Sequence, residues 1–137
     1  MPSGLLCLSG FALFLLGLLN GFAIPLGKSP RLGLSAHLTA VQSGTFLIAA
    51  GLAWPHLGLP TAWAQPLAAV LDASIYAIWV ALFVAGLVGA GRGLPIAGGD
   101  TRTGPIRQTA VTLVLAAGSL GTLAAVAAVL LVGRWAS

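Results

Sequence analysis

Few side chains in this sequence can do chemistry, and His37 is the first of them. The 137 residues contain two histidines, two acidic residues and one cysteine. His37 stands at the head of an apolar segment, where an imidazole needs a hydrogen bond, a metal ion or a polar cavity. Two interpretations stay open: a hydrogen-bonded structural histidine at a helix start, or the axial ligand of a haem iron.

The residues near His37 are those that a haem b site requires. A stripe of small residues follows it at about 100° per residue, made of Ala40, Val41 and Gly44. This stripe predicts an open face on which a flat ligand can lie. Lys28 and Arg31 come just before the segment, and their cations suit haem propionates. His56 is nineteen residues further on, about 28 Å along a helix, and is therefore not a second ligand within the same chain.

Asp72 and Tyr76 form the second candidate group. They are four residues apart and so share one helix face. A carboxylate inside an apolar segment is costly unless it meets a partner. Asp72 either fixes packing through a hydroxyl or another helix end, or it serves a pocket together with Tyr76.

The elements that position these side chains are predicted from composition. Hydrophobic residues make up 58% of the chain and charged residues 6%, with a mean hydropathy of +1.05. Four apolar runs, at about 5–24, 35–54, 66–90 and 107–132, each have ~20 or more residues, enough to cross a ~30 Å hydrocarbon core. The sequence thus predicts an all-α integral membrane protein, a four-transmembrane-helix bundle forming a single domain over 1–137. Gly10, Gly17 and Gly21 recur at helical spacing and predict close helix contacts.

The positive charge indicates membrane topology rather than nucleic-acid binding. The net charge is +4, but the basic residues are scattered over short loops and helix ends. Most of them follow the first and third runs: Lys28, Arg31, Arg92, Arg102 and Arg107. The positive-inside bias places these two loops in the cytoplasm and both termini outside. Trp54 and Trp63 flank His56 and predict an aromatic belt at the other interface.

Several strings of the sequence resemble the membrane-bound hydroxylaminobenzene mutases. They are Asn20-Gly21-Phe22, Ile24-Pro25, the segment from Pro30 to Leu38 with Gly44, then Gly51 and Trp54, and Pro95-Ile96-Ala97-Gly98-Gly99. A more distant resemblance is to styrene oxide isomerase, a four-span enzyme that holds haem b between subunits of a trimer. Its axial histidine falls on His37, and its Val-Leu-Asp segment falls on Val70-Leu71-Asp72.

The resemblance implies an intramolecular rearrangement of a small apolar aromatic substrate in a bacterial-type inner membrane. In a mutase, an aryl hydroxylamine becomes an aminophenol; in an epoxide isomerase, a strained ring opens to an aldehyde. It further implies that ferric haem on His37 acts as a Lewis acid, that Tyr76 or Ser43 donates a hydrogen bond, and that Asp72 orients the donor or stabilises positive charge. A homo-oligomer, and specifically a trimer, is implied as well.

The chain departs from the isomerase pattern at two positions. An asparagine precedes the glycine in that isomerase, whereas Ser43 stands here. The isomerase tyrosine falls near Val80, while the tyrosine of this chain is one turn beyond the aspartate, at Tyr76. Two other classes stay open beside the enzyme: a haem electron carrier, and a cofactor-free transporter or scaffold subunit.

Overall fold

The computed structural model describes residues 2–98 and 103–134, and these fold into an antiparallel bundle of four long helices. Each of the four is long and apolar enough to cross a membrane. The predicted fold class is confirmed. The helices are α1 (Pro2–Ala23), α2 (Pro30–Ala53), α3 (Thr61–Val88), the single-turn α4 (Pro95–Gly98) and α5 (Pro105–Val132).

Prolines and glycines set the helix ends. Pro30 and Pro105 each occupy the first turn of a helix, where a missing N–H costs nothing because that group has no intrahelical partner. For this reason α2 begins five residues before the predicted start at residue 35. Helix α3 ends at Val88, two residues before the predicted end, because Gly89 adopts a left-handed conformation (φ 75°).

Helices α1 and α2 touch through glycines. A Cβ added at Gly44 would lie 2.7 Å from the Gly10 carbonyl oxygen, and one added at Gly17 would lie 2.8 Å from the Ala40 Cβ. Such approach is possible only where side chains are absent or small. The predicted close contacts of α1 are confirmed, and they extend along most of its length.

Helix α3 packs between α2 and α5. The connection between α1 and α2 is hydrogen-bonded to the C-terminal end of α3, since the Ser29 backbone N–H donates to the Gly86 carbonyl at 3.0 Å. Gly86 also meets α2, because a Cβ there would lie 2.9 Å from the Gly33 nitrogen. Helix α5 packs closely on α3 at Gly118. A Cβ at this position would clash with Ser74 and Ile78 of α3.

The two ends of the bundle carry different residues. Lys28, Arg31, Arg92 and Arg107 lie at the end that holds the α1–α2 and α3–α5 connections, and Arg102 lies outside the described residues. At the opposite end His56 is exposed and Trp63 is 51% exposed, as expected of interfacial residues. Trp54 is only 6% exposed, so its predicted place in an aromatic belt is wrong. It packs into the core formed by α1, α2, α3 and α5.

We expect Gly44→Ala to destabilise the bundle. The new methyl meets backbone atoms of Gly10 and Phe14 at 2.7 Å, and α1 must move away. The expected cost is about 1–2 kcal/mol even after a gain of about 1 kcal/mol in helix propensity. Reversible unfolding in mixed micelles measures it. Gly4→Ala is the control, because nothing lies within 4 Å of that position; equal effects of the two substitutions would contradict the packing described here.

Candidate active site

The backbone of α1 orients the His37 ring. His37 Nδ1 lies 2.7 Å from the Gly17 carbonyl oxygen. Because a carbonyl only accepts, Nδ1 carries the proton and donates it. The ring also lies over Gly21, where a Cβ would come within 3.3 Å of Nδ1. Glycine at both positions lets the imidazole reach the helix backbone.

This hydrogen bond leaves the other ring nitrogen available. With Nδ1 protonated, Nε2 holds a lone pair, and it makes no hydrogen bond to the described residues. His37 is only half-buried. Metal-binding histidines typically donate one N–H to a carbonyl or carboxylate and bind metal through the other nitrogen. Within residues 2–98 and 103–134, no three His, Cys, Asp or Glu side chains gather around a common point.

The predicted open face beside His37 is not open within one chain. Ala40 is fully buried, and Gly44 meets the backbone of Gly10 and Phe14. Val41 is half-buried and faces Gly17. These small residues let α1 approach α2, and the expectation that they leave room for a flat ligand is wrong here. Lys28 and Arg31 are exposed at the adjacent end of the bundle, as a role toward a ligand's carboxylates requires.

Ser9 of α1 joins the two candidate residues of α3. Its hydroxyl donates to Asp72 Oδ1 at 2.5 Å, and its carbonyl accepts from the Tyr76 hydroxyl at 2.9 Å. The three residues are half-buried. The expectation that Asp72 meets a hydroxyl on another helix is confirmed, and Ser9 is the residue that the sequence interpretation did not single out.

An apolar cavity adjoins this cluster. It lies between α1 and α3, has a volume of about 310 Å³, and is lined mainly by apolar side chains with Ser9, Gln65 and Asp72 as its polar groups. A mostly apolar cavity with a few polar groups is the usual form of a small-molecule site.

The His37 centre and the Asp72 centre are separate in one chain. They contact α1 at Gly17 and at Ser9, eight residues apart, which is about 12 Å along the helix. One small molecule therefore does not touch both centres in a single chain. The expectation that His37, Asp72 and Tyr76 act on one substrate stays a prediction.

Comparison with known proteins places the chain in a family. The family model of styrene oxide isomerase matches residues 2–134. The chain belongs to the styrene oxide isomerase family. It is 44% identical to hydroxylaminobenzene mutase HabA of Ectopseudomonas oleovorans over 108 residues, which cover 78% of this chain and 80% of HabA. It is 50% identical to hydroxylaminobenzene mutase HabB of the same organism over 96 residues, or 69% of this chain and 58% of HabB. No solved structure matches the chain significantly.

These matches confirm the resemblance stated from the sequence. As a member of the styrene oxide isomerase family with two mutases among its relatives, the protein is an isomerase. The enzyme interpretation is thereby supported over the electron carrier and the transporter.

Ser43 lies apart from the His37 centre of this isomerase. It is six residues beyond His37, which places it about 120° around α2 and about 9 Å along it. Its side chain is half-buried, and no hydrogen bond of its hydroxyl involves the described residues. Its predicted role as a hydrogen-bond donor to substrate stays a prediction.

Two residues of the α3 face were missed by the sequence interpretation. Trp79 and Phe83 follow Asp72 and Tyr76 at spacings of three and four residues, so all four lie on one side of the helix. The Tyr76 and Trp79 rings meet edge to face at 6.3 Å, and Trp79 stacks on Phe83 at 5.8 Å. This spacing was visible in the sequence, but a membrane helix carries many apolar residues at such intervals.

The Ser9–Asp72 hydrogen bond is expected to stabilise the α1–α3 contact. A bond to an ionised carboxylate contributes about 1.5–3 kcal/mol. Ser9→Ala should lower the free energy of unfolding by that amount, and the loss should shrink in an Asp72→Asn background. Ser35→Ala is the matched control, since Ser35 bonds only to Arg31 in its own helix. Additive effects of Ser9→Ala and Asp72→Asn would show that the two side chains do not interact.

Proposed function

We propose that this isomerase converts a small aryl hydroxylamine, of which hydroxylaminobenzene is the simplest, to the ortho-aminophenol. The observation that carries the proposal is the Ser9–Asp72 hydrogen bond at the wall of an apolar cavity. The sequence identity of this chain to two hydroxylaminobenzene mutases, 44% and 50%, supports this choice of substrate class.

The reaction is an isomerisation and needs no external oxidant or reductant. The N–O bond breaks, its electron pair leaves with the oxygen, and positive charge spreads over the nitrogen and the ring. The oxygen then forms a bond to the ortho carbon. That carbon loses its proton and the nitrogen gains one, so the atoms of substrate and product are the same.

The residues of the cavity suit the charge that develops. Asp72 is the acidic group there, and its carboxylate accepts an N–H of the substrate and stabilises positive charge on the nitrogen. Ser9 fixes the carboxylate in position through its hydroxyl. The Tyr76 hydroxyl donates to the Ser9 carbonyl and so helps to hold Ser9 in place beside the cavity. The apolar walls exclude water, which would otherwise trap the cation at other ring positions.

Haem b is the cofactor that we propose for the His37 centre. The fit rests on His37, whose Nδ1–H is held by the Gly17 carbonyl while Nε2 lacks a partner among the described residues. Lys28 and Arg31, both exposed beside this end of the bundle, would pair with the propionates. When bound, haem iron supplies Lewis acidity toward the substrate oxygen.

We propose that the protein forms a homo-oligomer, specifically a trimer, in which the His37 centre of one copy lies close to the Asp72 centre of another. Since about 12 Å of α1 separates them within a chain, a neighbouring copy is needed to bring a His37 centre to an Asp72 cavity. We further propose that the protein lies in a bacterial-type inner membrane with its Lys- and Arg-bearing loops on the cytoplasmic side.

Epoxide isomerisation is the second candidate reaction, and the match to the styrene oxide isomerase family model favours it. A C–O bond takes the place of the N–O bond, and positive charge again develops next to an aromatic ring. The same carboxylate and apolar walls suit that intermediate.

Purified protein supplied with haem should convert hydroxylaminobenzene to 2-aminophenol, as followed by chromatography. Asp72→Asn should lower kcat about 10²-fold, because it removes the negative charge at the cavity. Thr45→Ala, on an exposed hydroxyl that bonds only to Val41 of its own helix, should leave kcat unchanged. Styrene oxide is assayed in parallel. Turnover of styrene oxide alone would replace the mutase by the epoxide isomerase, and full activity of Asp72→Asn would remove Asp72 from the mechanism.

The visible absorption spectrum tests the cofactor proposal. Protein purified from cells supplied with haem precursor should show a Soret band that His37→Ala abolishes. His56→Ala is the control and should keep the band, since His56 is exposed at the opposite end of the bundle. Active but colourless wild-type protein would refute haem while leaving the mutase proposal intact.

A further inference from the structure

We propose that a second cavity, at the start of α5, binds the phosphate group of a membrane phospholipid. The cavity lies between α5 and the connection from α3, has a volume of about 330 Å³, and is here called the α5 cavity. It shares no lining residue with the cavity beside Asp72, so this proposal is independent of the proposed reaction. The residues that line it are Arg92 and Gly93 of the connection and Gln108, Thr109, Thr112 and Leu113 of α5.

Two contacts hold the connection against α5 and so shape the α5 cavity. The Arg92 backbone N–H donates to the Gln108 Oε1 atom at 2.8 Å. A Cβ added at Gly93 would lie 2.6 Å from Thr112 Oγ1, so the backbone of the connection lies directly on the helix. The wall that carries Arg92 is therefore held in place relative to the polar side chains of α5.

The hydrogen-bonding groups that remain free in the α5 cavity can all donate. Gln108 is only 6% exposed and its Oε1 is occupied, so its Nε2 holds two N–H groups that have no partner among the described residues. The Thr109 hydroxyl and the Arg92 guanidinium also make no hydrogen bond or ion pair within that part of the chain. A polar group withdrawn from water without a partner costs free energy. The Gln108 amide therefore requires a bound acceptor.

The charge of the α5 cavity selects an anion. Arg92 supplies a positive charge, and none of the described residues that line the cavity is acidic. An arginine guanidinium binds phosphate or carboxylate oxygens through two parallel N–H···O bonds. Donors on the connection and on α5 lie on different sides of the cavity, which suits the several oxygens of a phosphate group better than the pair of a carboxylate. The bound acceptor is therefore an anionic phosphate.

The α5 cavity lies at the level of the membrane where phospholipid phosphates are found. Helix α5 has 28 residues and is about 42 Å long, so it extends beyond a ~30 Å hydrocarbon core by about 6 Å at each end. Gln108 and Thr109 are the fourth and fifth residues of α5 and lie close to the boundary between hydrocarbon and headgroups. Leu113, one turn further along, lies inside the hydrocarbon.

The apolar surface next to the α5 cavity favours a lipid over a free phosphate. Leu113 lines the cavity and is 63% exposed, and Leu120, seven residues on along the same face of α5, is 66% exposed. The acyl chains of a lipid whose phosphate occupies the cavity can lie along this face. Basic cavities between membrane helices bind anionic lipid headgroups in this way.

The test uses three probes that separate the parts of a phospholipid. Delipidated protein in detergent is titrated with dioleoylphosphatidylglycerol, with dioleoylglycerol, which has the same chains but no phosphate, or with inorganic phosphate. Binding is measured as the rise in Tm, because a ligand that binds the folded state stabilises it. We expect the phospholipid to raise Tm and the other two probes to leave it unchanged.

Matched variants locate the binding. Arg92→Gln should raise the phospholipid concentration that gives a half-maximal Tm shift about fivefold, because a charge-assisted hydrogen bond is lost. Thr109→Val keeps the shape of the side chain and removes the hydroxyl, and it should raise that concentration about threefold. Arg107→Gln is the control: it removes the same charge from an exposed residue that does not line the cavity, and it should behave as wild type.

Each other outcome counts against the proposal. A Tm rise with inorganic phosphate equal to that with the phospholipid would assign the cavity to the free anion and overturn the lipid. An equal rise with dioleoylglycerol, or no rise with any probe, would refute a phosphate site. Equal weakening by Arg92→Gln and Arg107→Gln would assign binding to surface charge, and wild-type responses of both Arg92→Gln and Thr109→Val would place the lipid elsewhere.

Discussion

The close approach of α1 and α2 through glycine is the constraint on which the rest of the structure depends. In a bilayer, burial from water does not drive helices together, and association rests on packing and on hydrogen bonds. Gly10 and Gly44 bring the two backbones nearly into contact, and Gly17 packs on Ala40 in the same way. Only at this separation does the His37 ring reach the Gly17 carbonyl. A bulkier contact anywhere along the pair would move the imidazole off the oxygen that sets its tautomer.

Two polar side chains of the site donate to backbone carbonyls that already accept a hydrogen bond within α1. The Ser9 carbonyl accepts from Tyr76 and the Gly17 carbonyl from His37, in addition to the bonds within α1. A carbonyl oxygen has two lone pairs, so this second bond satisfies a side chain in lipid at no cost to the helix. Helix α1 thus provides acceptors to both centres, and its Ser9 hydroxyl also donates to one of them, at Asp72.

Sequence patterns were sufficient for the four helices but not for their contacts. Composition and length predicted the bundle, and the prolines before α2 and α5 mark their starts. His37, Asp72 and Tyr76 were identified because polar groups in lipid need partners. Their hydrogen-bond partners could not be predicted, because every residue has a backbone carbonyl and nothing in the sequence marks the one of Gly17 as an acceptor. The small stripe with Ala40 and Gly44 was misread for the same reason: small residues are equally suited to a ligand and to a neighbouring helix, and only the fold distinguishes the two.

Both centres depend on α1, but the other residues that support them differ, and this difference affects which substitutions each centre tolerates. The orientation of His37 depends on glycines of α1 and α2, where almost any substitution disturbs the packing. The side chains of the α3 face, by contrast, are half-buried and meet α1 through Ser9. Substitutions on that face can therefore accumulate without loss of the imidazole support. A single scaffold can in this way accept new substrates through changes on one helix, while the α1–α2 pair keeps the imidazole in place.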